Sequence, residues 1–177
     1  MVYIDCPRND SMDIRFISSD QDQQTNRILG DVADRAAALG IRLAGTLQRA
    51  ASGQKCDIVL RLLPGGPDLN VSMNLGPGAT GFRLDANLLE EAAMQVQARL
   101  PGAQALIANK FGKQEAAGHG LVQVIGQACT AGLPVLVGVS ADWRAAFLAF
   151  AGDAAQPLKD ADQALDWLRA ACARQTA

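Results

Sequence analysis

The chain has 177 residues, of which 49% are hydrophobic and 19% are charged, and its formal net charge is -2. This length suits one domain with a buried core, and the charge excludes a general attraction to nucleic acid, so that any basic site must be local. The sequence has no run of the about eighteen apolar residues that a membrane span needs, and its start lacks the pattern of an export signal. We therefore expect a cytoplasmic protein with no membrane partner.

The chain opens with residues 1–11, which show no periodic pattern and are predicted to be an irregular leader before a single α/β domain over residues 12–177. Residues 13–17 alternate in polarity like a strand, and apolar residues at helical spacing then continue to Gly40. Those apolar positions are Ile28, Val32 and Ala36. Together these segments predict a first βα unit.

The next part of the chain reads as strands. Residues 41–47 and 57–63 are apolar or alternating runs, and the sequence Pro64-Gly65-Gly66-Pro67 must turn the chain. Residues 68–73 then alternate again. We therefore predict an antiparallel hairpin between the second and third of these runs.

The second half of the chain alternates helices and strands. A helix is predicted from Asp85 to the break at Pro101, followed by a buried strand over residues 103–108. A helix from about Gly120 leads to the last apolar strand over residues 133–139, and two short helices close the chain. This alternation predicts a three-layer α/β domain with a mostly parallel sheet and the antiparallel hairpin at one edge.

The cysteines give no sign of a crosslink or a zinc site. Cys6, Cys56, Cys129 and Cys172 are scattered without a CxxC pair or a histidine at ligand spacing. Cys129 and Cys172 fall on apolar helix faces, and we expect them to be packing residues. No metal site is predicted, because His119 is the single histidine of the chain.

The most informative segment runs from Ala105 to Glu115, where a short apolar strand ends in a charged loop that contains Gly112 and opens a helix. Because the carboxyl ends of parallel strands converge, we expect this loop to lie near the first βα turn and near the loop before Asp85. An oxyanion would suit the charged groups gathered there, which are Lys110, Lys113, Arg83 and His119. The open backbone of Gly76, Gly78, Gly112, Gly118 and Gly120 completes the predicted anion-binding set.

Each of these residues also has a structural interpretation without a ligand. Both lysines could be solvated loop residues, and Arg83 could form an ion pair with Asp85 across the loop. Glu115 could be a general base acting on water, or a helix-start carboxylate that the helix dipole favours. The sequence leaves these alternatives open.

From about Met12 to Trp167 the chain resembles a bacterial domain family of unknown function that is related to the small P-loop nucleoside-triphosphatases. The resemblance rests on Leu63-Pro64-Gly65-Gly66-Pro67, Leu75-Gly76-Pro77-Gly78, Gly81-Phe82-Arg83-Leu84-Asp85, Asn109-Lys110-Phe111-Gly112-Lys113-Gln114-Glu115 and Pro134-Val135-Leu136. It implies a P-loop-NTPase-like fold and, from the genetic setting of many members, an association with molybdate uptake and molybdenum enzymes.

The chain departs from the related hydrolases at both of their phosphate and metal motifs. Their Walker B strand ends in Asp-Glu-x-Gly-Lys-x-Glu, with the first acid on magnesium and the second beside the attacking water. Here the two acids are replaced by Asn109 and Lys110, while Glu115 is retained. In place of the glycines and lysine of Walker A, residues 18–25 offer two acidic side chains and, at Thr25, one hydroxyl for magnesium. Conventional hydrolysis is therefore not expected.

Three functional hypotheses follow from these observations. The first is a non-catalytic oxyanion-binding or regulatory protein on a degenerate P-loop scaffold, with molybdate or tungstate as the leading ligand and molybdenum-uptake or molybdoenzyme proteins as partners. The second is an unconventional nucleoside-triphosphatase in which Glu115 activates water and the phosphates carry magnesium. The third is a protein-interaction module that forms a homo-oligomer.

Overall fold

A computed structural model describes residues 12–49, 57–73, 77–78 and 84–176. The predicted leader, residues 1–11, lies outside these described residues. The strands are β1 (Ile14–Ile17), β2 (Leu43–Arg49), β3 (Val59–Leu63), β4 (Asp68–Asn70), β5 (Ala105–Phe111), β6 (Val135–Val139) and β7 (Ala155–Pro157). The α-helices are α1 (Asp22–Ala38), α2 (Ala86–Arg99), α3 (Lys113–Ala116), α4 (Val122–Thr130), α5 (Arg144–Ala151) and α6 (Ala161–Gln175).

The strands form one seven-stranded sheet in the order β4-β3-β2-β5-β6-β1-β7. The pairs β2–β5, β5–β6, β6–β1 and β1–β7 are parallel, whereas β3 runs antiparallel to both β2 and β4. The mostly parallel sheet and the antiparallel hairpin at one edge are therefore confirmed. Helices cover both faces, which explains why β5 and β6 are apolar nearly throughout rather than alternating.

The end of the chain differs from the sequence prediction in two ways. Residues 133–139 were expected to hold the last strand, but β7 follows and pairs with β1 at the sheet edge. Its three residues are too few to show a period. The closing helix α6 is also not short, since it has 15 residues. Asp160, the residue before it, caps the helix by accepting a hydrogen bond from the Gln163 N–H.

Two hydrophobic clusters lie on opposite faces of the sheet. Helices α1 and α6 cover one face, with Leu29 and Leu168 at its centre, and α2, α4 and α5 cover the other. Cys172 lies in the first cluster and Cys129 packs against the second, as predicted for packing residues. None of the helices in the described part of the chain is long and apolar enough to cross a membrane.

Close strand packing at the centre of the sheet depends on Gly45 in β2. Its φ is +136°, and a Cβ at this position would overlap the backbone of Ile107 in the neighbouring strand β5. The register between β5 and β6 shifts between Asn109 and Phe111, where the Asn109–Lys110 peptide bond is cis. Because β1, β5 and β6 run parallel, their carboxyl ends lie at one edge of the sheet, and this edge holds the candidate site.

Candidate functional site

An ion pair joins two of these strand ends. Lys110 projects from β5, and its Nζ lies 2.5 Å from Oδ2 of Asp22, the first residue of α1. Ser140 follows β6 directly, and its hydroxyl lies 3.5 Å from the same carboxylate oxygen. The carboxyl end of β5 therefore lies beside the first βα turn, where the convergence of parallel strands places it.

Asp22 occupies a position that favours negative charge. The amino end of a helix presents unpaired N–H groups and the positive end of the helix dipole, which is why it commonly binds anions. Here the protein supplies its own carboxylate, which also neutralises Lys110. The side chains of Lys110 and Asp22 are 23% and 42% exposed, so the pair is accessible from solvent. Lys110 is thus a partnered cation in this state of the site.

Arg144 closes the other side of the turn. Its Nε donates a hydrogen bond to the Ser18 hydroxyl at 3.1 Å, and its terminal nitrogen lies 3.9 Å from Asp20. The Asp20 side chain is 98% exposed, so this ion pair contributes little stability. Asp22, Ser140 and Arg144 were not proposed as site residues from the sequence. Ser140 could have been found by applying to β6 the strand-end argument that identified the end of β5.

The hydroxyl of Thr25 is used inside the turn. Thr25 is buried, its Oγ1 accepts a hydrogen bond from the Ser19 N–H at 3.2 Å, and it lies 2.8 Å from the Ser19 hydroxyl. Ser19 in turn donates to the backbone oxygen of Gln21 at 2.6 Å. The one hydroxyl that could replace the magnesium-binding group of a Walker A loop therefore stabilises the turn instead.

Asn109 is buried between the sheet and α1. Its side-chain Nδ2 donates to Oδ1 of Asn26 at 2.9 Å, and its backbone N–H and C=O both bond to the hydroxyl of Thr46. Its Oδ1 is buried and has no hydrogen-bond partner among the described residues. Next to it, a Cβ on Gly138 would come within 2.7 Å of that oxygen and 2.5 Å of Leu29 Cδ1. Asn109 is therefore a packed residue at the base of the site.

Glu115 also faces inward. Its two carboxylate oxygens accept hydrogen bonds from the N–H groups of Gly112 at 3.1 Å and Leu121 at 3.2 Å. Burial raises the pKa of Glu115, and the nearby charge of Glu90 acts in the same direction, while the backbone hydrogen bonds oppose them. Gly120 beside it has a φ of +62°, and a Cβ there would clash with the carboxylate. Glu115 thus ties the start of α3 to the start of α4.

The remaining predicted site residues are more dispersed. Lys113 is the exposed first residue of α3, after Gly112 at the helix cap, and His119 is exposed in the loop before α4. Within residues 84–176 and the other described ranges, no side-chain hydrogen bond or ion pair joins Lys113 or His119 to Lys110 or to the first turn. Gly78 is described, with a φ of +90°. Arg83 and Gly76 lie outside the described residues.

Metal ligands are not clustered in the described part of the chain. No group of three or more His, Cys, Asp or Glu side chains in it could hold an ion.

Comparisons with known proteins relate this chain to P-loop proteins. The family model described as "Protein of unknown function (DUF2478)" matches residues 14–167. The molybdenum import ATP-binding protein ModC 2 of Bradyrhizobium diazoefficiens is 33% identical over 129 residues. That match covers 71% of this chain but only 14% of ModC 2, so the chain corresponds to a small part of that relative.

Two solved structures share the fold. The crystal structure of THEP1 from the hyperthermophile Aquifex aeolicus has a TM-score of 0.59 at 13% identity and covers 89% of this chain and 95% of its own. The solution structure of a human cancer-related nucleoside triphosphatase has the same TM-score, 0.59, at 9% identity, and covers 93% of this chain and 99% of its own. Both are P-loop NTPase folds, so the expected fold class is confirmed.

Proposed function

We propose a non-catalytic role for this chain, which belongs to the DUF2478 family of unknown function and has a P-loop-NTPase-like fold. In this role, a small oxyanion binds beside Lys110 and regulates the domain. Molybdate or tungstate is the proposed ligand, because the relative ModC 2 is named as a molybdenum import protein. Partners in molybdate uptake or in molybdenum enzymes follow from the same association.

The observation that supports this proposal is the Lys110–Asp22 pair. Lys110 Nζ and the Ser140 hydroxyl both lie at one carboxylate oxygen of Asp22, which is the first residue of α1. A cation, a hydroxyl and the amino end of a helix are groups that hold an oxyanion in proteins. A tetrahedral dianion presents more charge to Lys110 than a single carboxylate does. We propose that it displaces Asp22, whose partly exposed side chain can turn to solvent, and that this displacement changes the state of the first turn.

The proposal also includes the other members of the predicted set, although they are dispersed in the described structure. Lys113 is exposed at the start of α3 and supplies a second cation for the approaching ligand, and His119 is exposed in the following loop. Gly112 and Gly78 contribute backbone to the same proposed crevice, with Arg83 and Gly76 as the members outside the described residues.

Three features favour a non-catalytic role over hydrolysis. The Thr25 hydroxyl is bonded to Ser19, and Asn109 is a buried amide where the related hydrolases have a magnesium-binding acid. Both oxygens of Glu115 accept backbone hydrogen bonds, so neither is directed at an attacking water. The groups that magnesium-dependent phosphoryl transfer would need are therefore engaged elsewhere.

Thermal unfolding in the presence of single anions tests the proposal. Molybdate and tungstate should raise the melting temperature, because a ligand that binds only the folded state stabilises it by mass action. Lys110→Ala should abolish this shift, whereas Arg169→Ala, a change at an exposed arginine on α6, should retain it. Sulfate and phosphate test how selective the site is.

Two outcomes would contradict the proposal. No shift with any oxyanion would remove the ligand-binding role and favour an interaction module. A shift that appears only with ATP or GTP and magnesium, accompanied by phosphate release, would favour the nucleoside-triphosphatase instead.

A further inference from the structure

We propose that an arginine-rimmed groove on the α1 side of the sheet binds an acidic amphipathic helix of a partner protein. The groove has a volume of about 950 Å³ and lies between α1 and the β2–β3 hairpin. It extends away from the Lys110–Asp22 pair along α1, so this inference goes beyond the proposed oxyanion function and does not depend on it.

The groove exists because α1 does not extend over the whole sheet. Helix α1 packs on β2, β5 and β6, while α2 packs on β2 and β3 from the opposite face. In the described part of the chain, the α1 side of β3 therefore has no helix lying over it. The side chains of Leu43, Leu47 and Leu63 form the floor. They belong to the hydrophobic cluster under α1 and are 5%, 8% and 8% exposed.

One face of α1 forms the groove wall. The lining positions follow the spacing of a single helix face and are mostly small; they are Asn26, Gly30, Ala33, Asp34 and Ala37. At Gly30, no atom outside the adjoining residues and the backbone of α1 lies within 4 Å of the place where a Cβ would stand. Helices approach each other more closely when the residues between them are small, so this wall suits a second helix.

The length of the groove favours a polypeptide segment over a compact ligand. From Asn26 to Ala37 the wall runs for about 17 Å at the 1.5 Å rise of an α-helix. That span matches about three turns of a docked helix, with apolar anchors at positions i, i+3 or i+4, and i+7 on the floor. A phosphate-sized ligand would occupy only a small part of it.

Arginines stand at both ends of the floor. Arg42 immediately precedes β2 and Arg49 ends it, so the two are separated by about 23 Å of extended strand. Arg42 donates from Nε to the backbone oxygen of Gly102 at 2.8 Å, and its charge faces a neutral partner. Arg49 has a distant carboxylate neighbour, Asp68, at 3.9 Å.

The side of the groove carries two further arginines. Arg61 pairs with Asp68 at 2.9 Å, so this one carboxylate is shared between Arg61 and Arg49. Arg99 donates to the backbone oxygen of Pro64, again a neutral partner. Asp34 is the acidic side chain among the lining residues. The rim thus has a surplus of positive charge on a chain whose formal net charge is -2, which complements a partner helix with glutamates or aspartates beside its apolar face.

The groove also reaches the base of the candidate site. Asn26 lines its end and accepts the hydrogen bond from Asn109 Nδ2 at 2.9 Å. A helix docked in the groove would therefore contact the side chain that fixes Asn109, next to Lys110 in β5.

Fluorescence anisotropy with designed peptides tests the proposal on the full chain. The probe is a labelled helical peptide of about twelve residues, long enough for the groove, with leucines on one face and glutamates at both ends. The matched peptide has lysine at each glutamate position. We expect the glutamate peptide to bind, with an affinity that falls as salt is added, and the lysine peptide not to bind.

Two variants identify the groove as the binding surface. Gly30→Leu places a side chain in the open space of the groove and should weaken peptide binding about tenfold or more. Because leucine has a higher helix propensity than glycine, the melting temperature of this variant should stay the same or rise. Arg49→Glu should weaken binding by a similar factor. Arg169→Glu reverses an exposed charge on α6 and should leave binding unchanged.

Several outcomes would overturn the proposal. These are failure of the glutamate peptide to bind, equal binding of the two peptides, or unchanged affinity in both groove variants. If tripolyphosphate displaced the peptide at concentrations as low as those at which the peptide itself binds, the groove would be a small-anion site instead.

Discussion

The ammonium group of Lys110 and the carboxylate of Asp22 lie 2.5 Å apart and join the end of β5 to the first turn of α1. In a P-loop fold this turn is where phosphates are bound, and here it contains a protein carboxylate with its own counter-ion. The pair is partly exposed, so its contribution to folding is modest and its effect on ligand binding is the more informative quantity. A carboxylate that holds the lysine also competes with any anion that approaches it.

Asp22→Asn should therefore tighten oxyanion binding. The substitution removes the competing charge but keeps a similar shape, and the affinity for molybdate should rise about tenfold, which corresponds to about 1.4 kcal/mol. Isothermal titration calorimetry measures this directly. The matched control is Asp31→Asn. Asp31 is exposed on the same helix and pairs with Arg35, so this variant should bind molybdate as the unmodified chain does. Weaker or unchanged binding by Asp22→Asn would contradict the displacement mechanism.

Asn109→Asp should not restore hydrolysis, although it restores an acid at the Walker B position. The new carboxylate would be buried, and it would lose the hydrogen bond that Nδ2 donates to Asn26. We expect unfolding to become easier by about 2–4 kcal/mol, measured in urea, with no magnesium-dependent release of phosphate from ATP. Magnesium-dependent turnover in this variant would show that the scaffold is one substitution from an active enzyme.

Gly138→Ala should destabilise the protein at the base of the site. Its Cβ would come within 2.5 Å of Leu29 Cδ1 and 2.7 Å of Asn109 Oδ1, so α1 and the sheet would have to separate. Overpacking of this kind costs about 1–3 kcal/mol. Gly30→Ala is the control, because its Cβ would meet open space within a helix and should stabilise by about 0.5–1 kcal/mol. Chemical denaturation of both variants compares the two effects, and equal stability would indicate that β6 and α1 relax freely.

Glu115 should make folding stability depend on pH. Burial raises its pKa in the folded protein above the ordinary value of 4.5, so the unfolded chain loses this proton first as the pH rises. The contribution of Glu115 to stability is therefore largest below that ordinary value and falls as the pH rises through the raised pKa.

Glu115→Gln removes this titration and isolates its effect. The difference in unfolding free energy should favour the unmodified chain most below about pH 4.5, and it should shrink as the pH rises above that value. At every pH the glutamine offers one acceptor to two backbone N–H groups, which should cost about 1–3 kcal/mol. Urea unfolding across this range measures both terms, with Glu91→Gln on the exposed side of α2 as control. A difference that is constant with pH would contradict a raised pKa.

The sequence by itself determined most of the architecture. The spacing of apolar residues predicted β1, α1, α2 and the buried strands β5 and β6. Burial of one or both faces of an element imposes a pattern of apolar residues that a short stretch of sequence already shows. The turn at residues 64–67 identified the hairpin, and the resemblance identified the fold class that the solved structures confirm. The strand-end rule also placed Lys110 beside the first βα turn. β7 was missed, since three residues at a sheet edge carry no period.

Only the tertiary structure decided what the charged residues do. Asp22 and Lys110 are 88 positions apart in the sequence, and no local pattern reports that their side chains meet. The inward direction of the Glu115 side chain depends on the fold of the loop around Gly120. The arginine-rimmed groove depends on how far α1 extends over the sheet. Secondary structure follows from interactions between neighbours along the chain, whereas the charge balance of a site depends on which distant segments the sheet brings together.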